Sequence, residues 1–338
     1  MKVWSSPLGA FPRNRIVRKA LRDHERGLLS YDELDDLVFS SSLTLIGAQI
    51  ASGMTYVVDG MLDWHDIFRP FVSAWRNVTP TGLLRYFDNN FFYRIPFFVD
   101  KPEPVTAVWA PRVRRYLPFV EPAGFKVVVP GPVTFAYMSK SGPGLSREEL
   151  AHSIAELLSS EVGRAVEAGA VMVQIDEPLL SDPEATPDMA VLASELASKI
   201  ASRAGNSKTV LAVYYGVPRA DVYEKLLDSK TSCLSLDVGD NLEKATELLS
   251  SKGFGTHCAV LGLVNSRVVY EDRLDLLVDV ASRILKEYDG EEVGLTTTTW
   301  LDLIPYSYSL AKIKLLGFLA DKISLKLGGE RVLEVVKQ

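Results

Sequence analysis

The segment Val171-Met172-Val173-Gln174-Ile175-Asp176-Glu177-Pro178 predicts a buried β-strand that ends in two adjacent carboxylates. Side chains of a strand alternate between two faces, so Gln174 and Asp176 share one face and the valines share the other. An unpaired polar group inside a protein costs roughly several kcal/mol. We therefore predict that Gln174 and Asp176 have hydrogen-bond partners or face a cavity. Pro178 ends the strand because it has no N–H to donate. Such a strand end is typical of a ligand-binding site.

Similar β-rich runs alternate with amphipathic helical patterns along the 338 residues. The other runs are Lys2–Pro7, Met54–Asp59, Phe125–Pro130, Thr209–Tyr215, Cys233–Val238, His257–Val264 and Glu292–Thr298. The helical patterns are Arg15–Arg26, Tyr31–Ser52, Ser146–Ala168, Asp188–Arg203, Ala220–Leu227, Leu242–Ser251, Glu271–Glu287 and Ser307–Leu327. Eight strands that each precede a helix predict a (β/α)8 TIM barrel, an α/β fold. An open doubly wound sheet would usually carry a Gly-rich loop after its first strand, and this sequence has none there. We predict one barrel domain over residues 1–338.

One long insertion, approximately residues 61–124, follows the second predicted strand. It contains Trp64, a polar and aromatic cluster that includes Asn90, and a predicted hairpin with strands around Val105–Trp109 and Arg112–Leu117. Long loops in compact domains are usually lids or binding loops. Loops that follow barrel strands lie at the catalytic face. Trp64 and Asn90 are therefore predicted to contact a ligand.

Polar side chains end several of the predicted strands. Asp59 ends the second strand, Asp176 and Glu177 the fourth, Tyr214 the fifth and Asp237 the sixth. The carboxyl ends of barrel strands meet at the face that carries active sites. We therefore predict that these five residues bind the substrate. The alternative for each acid is a helix N-cap or an ion-pair partner.

A basic cluster follows the first strand. Arg13 precedes a helical pattern on which Arg15, Arg18 and Lys19 share one face. Guanidinium groups suit bidentate capture of carboxylates or phosphates. Arg15 and Arg18 are thus predicted to bind an anionic ligand. The alternative is a solvated helix face with surface ion pairs.

Composition excludes several classes of protein. A net charge of −6 and a pI near 5.4 argue against general nucleic-acid binding, which usually requires a basic domain. No apolar run approaches the roughly 18 residues that a membrane helix needs, and the first ten residues show no secretory signal. Two cysteines do not make a disulfide framework, which fits a reducing compartment. We predict a cytoplasmic protein.

The usual metal and nucleophile motifs are also missing from the sequence. Cys233 and Cys258 begin their predicted strands, which places them at the bottom of a barrel, away from the functional rim. We predict that both are buried core residues and that the chain has no zinc site. The sequence contains neither a nucleophile elbow G-x-S-x-G nor a phosphate-binding loop.

Taken together, these segments resemble the cobalamin-independent methionine synthase family over nearly the whole chain. The resemblance rests on the order and spacing of segments 8–13 (LGAFPR), 15–21 (RIVRKAL), 31–34 (YDEL), 86–94 (YFDNNFFYR), 129–135 (VPGPVTF), 173–179 (VQIDEPL), 214–216 (YYG) and 262–267 (GLVNSR). More narrowly, the chain resembles the N-terminal of the two homologous barrels in that enzyme. The resemblance implies a TIM barrel and a role in methionine biosynthesis.

The resemblance also implies a methyl donor and a zinc chemistry. In this family the catalytic C-terminal barrel binds zinc and homocysteine, and the donor is a reduced folate or related pterin. Three of the four zinc-ligand positions hold Ala212, Tyr214 and Thr299 here, and Asp237 matches the fourth. This departure argues against independent homocysteine methylation, and we predict less than stoichiometric zinc. Arg15 and Arg18 match the basic residues that face the polyglutamate tail of the folate.

Three functions are compatible with the sequence. The first is an N-terminal-type, methyl-donor-binding partner of a separate zinc-bearing catalytic barrel. The second is a self-sufficient methyltransferase, and the third is a non-enzymatic barrel that binds a pterin or amino acid. The sequence leaves open whether the donor is a folate, another pterin or a methylated corrinoid. No bound cofactor is predicted, because the donor acts as a substrate.

Overall fold

The computed structural model of the protein describes residues 1–87, 89 and 91–335. The strands are β1 (Lys2–Ser5), β2 (Tyr56–Val57), β3 (Trp75–Arg85), β4 (Phe92–Pro104), β5 (Gly124–Pro130), β6 (Lys140–Ser141), β7 (Met172–Asp176), β8 (Lys208–Val213), β9 (Cys233–Asp237), β10 (Cys258–Val264), β11 (Glu292–Thr297) and β12 (Glu330–Arg331). The helices are α1 (Arg15–Glu25), α2 (Tyr31–Ala51), α3 (Arg69–Ala74), α4 (Trp109–Tyr116), α5 (Pro132–Tyr137), α6 (Arg147–Glu167), α7 (Pro187–Ala201), α8 (Ala220–Leu226), α9 (Leu242–Lys252), α10 (Leu274–Ile284) and α11 (Tyr306–Lys326).

The main sheet is curled into a barrel. Its hydrogen-bonded order is β12-β1-β11-β10-β9-β8-β7-β5-β2, and the pairs along it are parallel. The two ends of the sheet meet where the Thr55 N–H donates to the Ser5 carbonyl at 2.8 Å. The Ser5 N–H in turn donates to the Thr55 hydroxyl at 3.1 Å. The predicted TIM barrel is confirmed.

The end of the described chain fills the N-terminal face of this barrel between β1 and β2. Strand β12 pairs with the start of β1, and the next residue, Val332, donates its N–H to the Val3 carbonyl at 2.9 Å. Val335 donates to the Pro122 carbonyl at 3.0 Å. These contacts cover the N-terminal face of the barrel. The open face is therefore the one formed by the C-terminal ends of the strands.

Local sequence explains where the long helices begin. The Ser146 hydroxyl accepts from the Glu149 N–H, and the Glu149 carboxylate accepts from the Ser146 N–H, as the capping-box pattern predicts. Ser30 and Glu33 form the same pair at the start of α2. Because each carboxylate also lies near the positive end of a helix dipole, these caps stabilise the outer ring of the barrel.

The insertion after β2 contains α3, β3, β4 and α4, and it corrects one prediction. The antiparallel hairpin is formed by β3 and β4, earlier in the chain than predicted. The segment predicted as its strands contains helix α4, in which Trp109, Val113 and Tyr116 are buried. Their spacing of four and three residues places them on one helix face, so the hairpin prediction mistook a helical period for strands.

In the described ranges 1–87, 89 and 91–335, we find no helix with the length and apolar character that crossing a bilayer requires.

Candidate ligand-binding site

A cleft of about 370 Å³ opens at the face of the barrel formed by the C-terminal ends of the strands. One side is the start of α1, the second is the insertion, and the third is the loop after β11. The residues that matter for its chemistry are Arg13, Arg15, Arg18, Trp64, Asp66, Phe91, Trp300 and Asp302. Its size is typical of small-molecule sites.

Two arginines of α1 contribute positive charge to this cleft. Helix α1 begins at Arg15 because the Asn14 side chain caps it, accepting from the Val17 N–H at 2.9 Å. Arg15 and Arg18 are exposed and line the cleft, and neither forms an ion pair with any residue in the described part of the chain. Lys19 instead pairs with Asp23. The predicted basic face therefore supplies two uncompensated charges.

Arg13 has a different role from the two helical arginines. Its Nε donates to the Leu62 carbonyl at 2.8 Å, and its Nη2 donates to the Trp64 carbonyl. The guanidinium thus fastens the first turn of the insertion to the segment before α1. Trp64, predicted to contact a ligand, lines the cleft and packs against Trp109 with ring centroids 5.2 Å apart.

Asp176 lies beneath the cleft and organises its floor. One carboxylate oxygen accepts from the Trp300 indole N–H at 3.0 Å and from the Tyr214 hydroxyl at 2.9 Å. The other accepts from the Gln174 amide at 2.7 Å. Asp176 is fully buried and does not line the cleft itself. Its contacts instead fix the orientation of Trp300, which does.

A buried lysine completes this network. Lys126 donates to the Gln174 carbonyl oxygen at 2.9 Å and to the Leu8 carbonyl at 3.1 Å. Gln174 therefore links a cationic amine to an anionic carboxylate. Burial raises the pKa of Asp176 and lowers that of Lys126, and each charge offsets part of the shift of the other. The prediction that Gln174 and Asp176 have partners is confirmed.

Two acids that the sequence analysis missed also line the cleft. Asp66 is already bound, since one of its oxygens accepts from the Phe68 and Arg69 N–H groups at 3.0 and 2.7 Å. Asp302 is half-buried, and no other residue of the described ranges donates a hydrogen bond to its carboxylate. Burial raises the pKa of Asp302 to about 7, against the opposing effect of Arg13. Asp302 is thus an acceptor that faces an open cavity.

Little in the sequence could have identified Asp302 or Trp300. Both follow β11, the eighth strand of the barrel, where this fold places functional loops, and this position is the only signal that the sequence offers. The hydrogen bond between Trp300 and Asp176 joins residues 124 positions apart, so no local pattern predicts it.

Glu177, predicted to bind the substrate, is committed to another contact. Its two oxygens accept from the Val133 and Thr134 N–H groups, at 2.9 and 2.7 Å, in the first turn of α5. A Cβ on Gly131 would lie 2.0 Å from the Glu177 carboxyl carbon, so only glycine leaves room for the acid there. Burial raises the pKa of Glu177 to about 7. These contacts favour the capping alternative.

Asp59 is also held by the protein. It is fully buried, accepts from the Met61 N–H at 3.0 Å, and forms an ion pair with Arg112 of α4. This pair ties the insertion to the barrel rim. Burial raises the pKa of Asp59, although Arg112 acts in the opposite direction. The contacts favour a structural role over substrate binding.

The remaining predicted residues lie apart from the cleft or cannot be placed. Asp237 ends β9 at the expected face, and one of its oxygens accepts from the Asp240 N–H at 3.1 Å. It is buried and does not line the cleft, and burial raises its pKa. Asn90 lies outside the described residues. The structure thus brings together Arg15, Arg18 and Trp64, with Asp176 and Tyr214 one layer below.

Comparison with known families gives a match over most of the chain. Residues 67–289 match the sequence profile described as "Cobalamin-independent synthase, N-terminal domain". A curated relative from Nitratidesulfovibrio vulgaris, named 5-methyltetrahydropteroyltriglutamate–homocysteine methyltransferase, is 24% identical over 317 residues. That alignment covers 88% of this chain and 39% of the relative.

Two other curated relatives are named methionine synthase. The one from Sulfurisphaera tokodaii is 26% identical over 209 residues, covering 62% of this chain and 60% of the relative. The one from Saccharolobus islandicus is 23% identical over 309 residues, covering 90% of each. The chain therefore spans less than two thirds of some relatives and nearly all of others.

Solved structures share the fold. A B12-independent methionine synthase from Shewanella sp. W3-18-1, in complex with selenomethionine, superposes with a TM-score of 0.79 at 18% identity, covering 96% of this chain and 98% of that one. A putative vitamin-B12-independent methionine synthase from Listeria monocytogenes gives a TM-score of 0.74 at 17% identity, covering 94% and 96%. These structures show the shared fold, and the profile match over residues 67–289 shows that the chain belongs to the cobalamin-independent synthase family, as its sequence motifs predicted.

Proposed function

We propose that this barrel binds an acidic methyl donor, a reduced folate or related pterin, and acts in methionine biosynthesis as the N-terminal-type partner of a separate zinc-bearing catalytic barrel. The observation that carries the proposal is the cleft in which Arg15 and Arg18 have no counter-ion in the described chain. Two uncompensated guanidinium groups beside a cavity repel each other, and an anionic ligand removes that repulsion. The relative from N. vulgaris, whose name includes a pteroyltriglutamate, supports this choice of ligand.

The distribution of charge in the cleft matches the two ends of such a donor. The arginines lie on the α1 side, and the free carboxylate of Asp302 lies on the side of the β11 loop. A pterin carries ring N–H groups that a carboxylate can accept from, and its glutamate tail carries carboxylates for guanidinium groups. Trp300 offers an aromatic face between them, held in place by Asp176. We assign Asp302 to the ring and Arg15 and Arg18 to the tail.

The family's zinc chemistry does not fit the side chains present here. The matching positions hold Ala212, Tyr214 and Thr299, besides Asp237. Ala212 has no donor atom, and the Tyr214 hydroxyl donates to Asp176. The Thr299 hydroxyl lies 3.0 Å from that of Ser266 and donates to the Trp300 carbonyl. A neutral hydroxyl engaged in this way is a poor substitute for thiolate and imidazole. We therefore assign thiol activation to a second barrel.

A calorimetric titration tests the ligand. Methyltetrahydrofolate with three glutamates should bind more tightly than the monoglutamate form, and Arg15→Ala/Arg18→Ala should weaken the triglutamate form by roughly 1.5–3 kcal/mol per charge-assisted bond lost. The matched control is Lys19→Ala/Arg26→Ala, which removes two charges from the same region without touching the cleft. Equal affinity of the wild type and the Arg15/Arg18 variant would remove the tail-binding role.

A second experiment tests the partner. The protein should transfer no methyl group to homocysteine when alone, and it should support transfer when mixed with a zinc-bearing catalytic barrel of the family. The Arg15→Ala/Arg18→Ala variant should lose this support. Methionine formation by the protein alone would favour the self-sufficient methyltransferase, whereas donor binding without any transfer in the mixture would favour the non-enzymatic binding barrel.

A further inference from the structure

The first residues of three neighbouring strands form a row of potential metal ligands at the N-terminal face of the barrel. Cys233 begins β9, Cys258 begins β10 and Glu292 begins β11. Cys258 is in register with Cys233, and the pairing of Ala259 with Val293 places Cys258 beside Glu292. Residues in register on adjacent strands lie about 4.8 Å apart. The two sulfurs and a Glu292 oxygen all lie within 4.8 Å of one another.

We propose that Cys233, Cys258 and Glu292 bind one thiophilic divalent cation of the Zn²⁺ or Cd²⁺ type, as a structural site at the bottom of the barrel. Bonds of about 2.3 Å to sulfur and about 2.0–2.2 Å to oxygen place tetrahedral ligands roughly 3.5–3.8 Å apart. The three ligand atoms therefore need only side-chain rotation to close on a cation. Water takes the fourth position.

The charges around the row balance when a cation is bound. Two thiolates and one carboxylate carry three negative charges, a divalent cation leaves one, and the Lys208 ammonium compensates for it. Lys208 already forms an ion pair with Glu292, and its side chain is only 16% exposed. Because a carboxylate has two oxygens, Glu292 can ligate a metal with one and keep Lys208 on the other. The bound site is therefore neutral in a largely buried environment.

The two thiols lie in apolar surroundings. Trp4, Tyr56, Val210 and Val260 pack with the two cysteines into a small apolar cluster that is distinct from the main core. The sequence predicts both cysteines as ordinary core residues in a chain without a zinc site. Both are indeed buried, and the proposed cation site departs from the second part of that prediction. Only the strand register reveals the carboxylate beside them. Since the row lies at the opposite end of the barrel from the cleft, its role is to join β9, β10 and β11 rather than to act on the donor.

Titration of metal-free, reduced protein with Cd²⁺ tests the site. The chain has two cysteines, so an ultraviolet sulfur-to-cadmium charge-transfer band reports on this pair alone. We expect one Cd²⁺ per chain with such a band, displaced by Zn²⁺. Cys258→Ser should abolish the band, and Glu292→Gln should weaken binding at least tenfold. Glu291→Gln, which neutralises the exposed neighbouring acid, is the matched control and should leave binding unchanged.

The proposal fails in any of three outcomes. The first is a wild-type protein that shows no one-to-one complex. The second is a band that persists unchanged in Cys258→Ser, and the third is equal weakening by Glu291→Gln and Glu292→Gln. Far-UV circular dichroism of every variant separates lost binding from lost folding. Arg15→Ala/Arg18→Ala should bind Cd²⁺ like the wild type, so failure here and failure of the donor-binding proposal are distinguishable.

Discussion

Replacing Arg112 with methionine should destabilise the protein because it leaves a buried carboxylate without its partner. The Arg112 guanidinium joins two acids of very different exposure. Its Nε donates at 2.7 Å to Asp59, whose side chain is 0% exposed. Its Nη1 and Nη2 donate at 2.8 and 3.0 Å to Asp63, whose side chain is 38% exposed. The two acids therefore allow the loss of Arg112 to be compared for a buried and for a solvated carboxylate.

The magnitude follows from the contacts. Arg112→Met removes one charge-assisted hydrogen bond to Asp59, at roughly 1.5–3 kcal/mol, together with the ion-pair contact of Nη2 with the same Asp59 oxygen. Breaking a buried ion pair from one side typically costs about 3–5 kcal/mol. We expect a loss in that range. The double variant Arg112→Met/Asp59→Asn should regain most of the lost free energy of unfolding, because no buried charge then remains. The added change Asp63→Asn should restore less than about 1 kcal/mol, since Asp63 is solvated.

Urea unfolding of the four proteins at several pH values measures these differences. Without Arg112, the pKa of Asp59, which burial already raises, should rise further. When folding raises the pKa of a carboxyl group, the protein loses stability as the pH rises through the folded-state pKa of that group. The deficit of Arg112→Met should therefore grow from acid to neutral pH, and Asp59→Asn should abolish this trend. Equal rescue by Asp59→Asn and Asp63→Asn would refute the reasoning.

Two further predictions concern the polar groups below the rim. Tyr214→Phe removes a hydrogen-bond donor to the charged Asp176 and should lower the free energy of urea unfolding by about 1.5–3 kcal/mol. The control Tyr223→Phe loses a bond to the neutral Gly253 carbonyl and should lower it by about 0.5–1.5 kcal/mol. A larger loss for Tyr223→Phe than for Tyr214→Phe would contradict a charge-assisted bond to Asp176. Burial raises the pKa of Glu177 from 4.5 to about 7, so this acid should reduce stability by up to about 3 kcal/mol as the pH rises through that interval. Glu177→Gln should flatten the dependence, and an unchanged slope between pH 4 and 8 would contradict this cause.

The fold was predictable because its signals are local. Each barrel strand is a short apolar run, each long helix repeats with a period near 3.6, and caps such as Ser146 with Glu149 lie three residues apart. The predicted end of α1 and the predicted start of β7 at Val171 each differ from the observed position by one residue. Inside the insertion this logic failed for α4, since eight residues are too few to separate a helical period from short strands.

The candidate site was only partly predictable, since the sequence identifies polar residues at strand ends but not their partners. Asp59 and Asp176 both lie where strands end, yet one anchors the insertion through Arg112 and the other fixes the floor of the cleft through Trp300. Both contacts join residues more than fifty positions apart, and only the closed barrel brings them together. An acid such as Asp302, to which no other residue in the described part of the chain donates, is the stronger candidate for ligand recognition, because a ligand that donates to it would offset the cost of its partial burial.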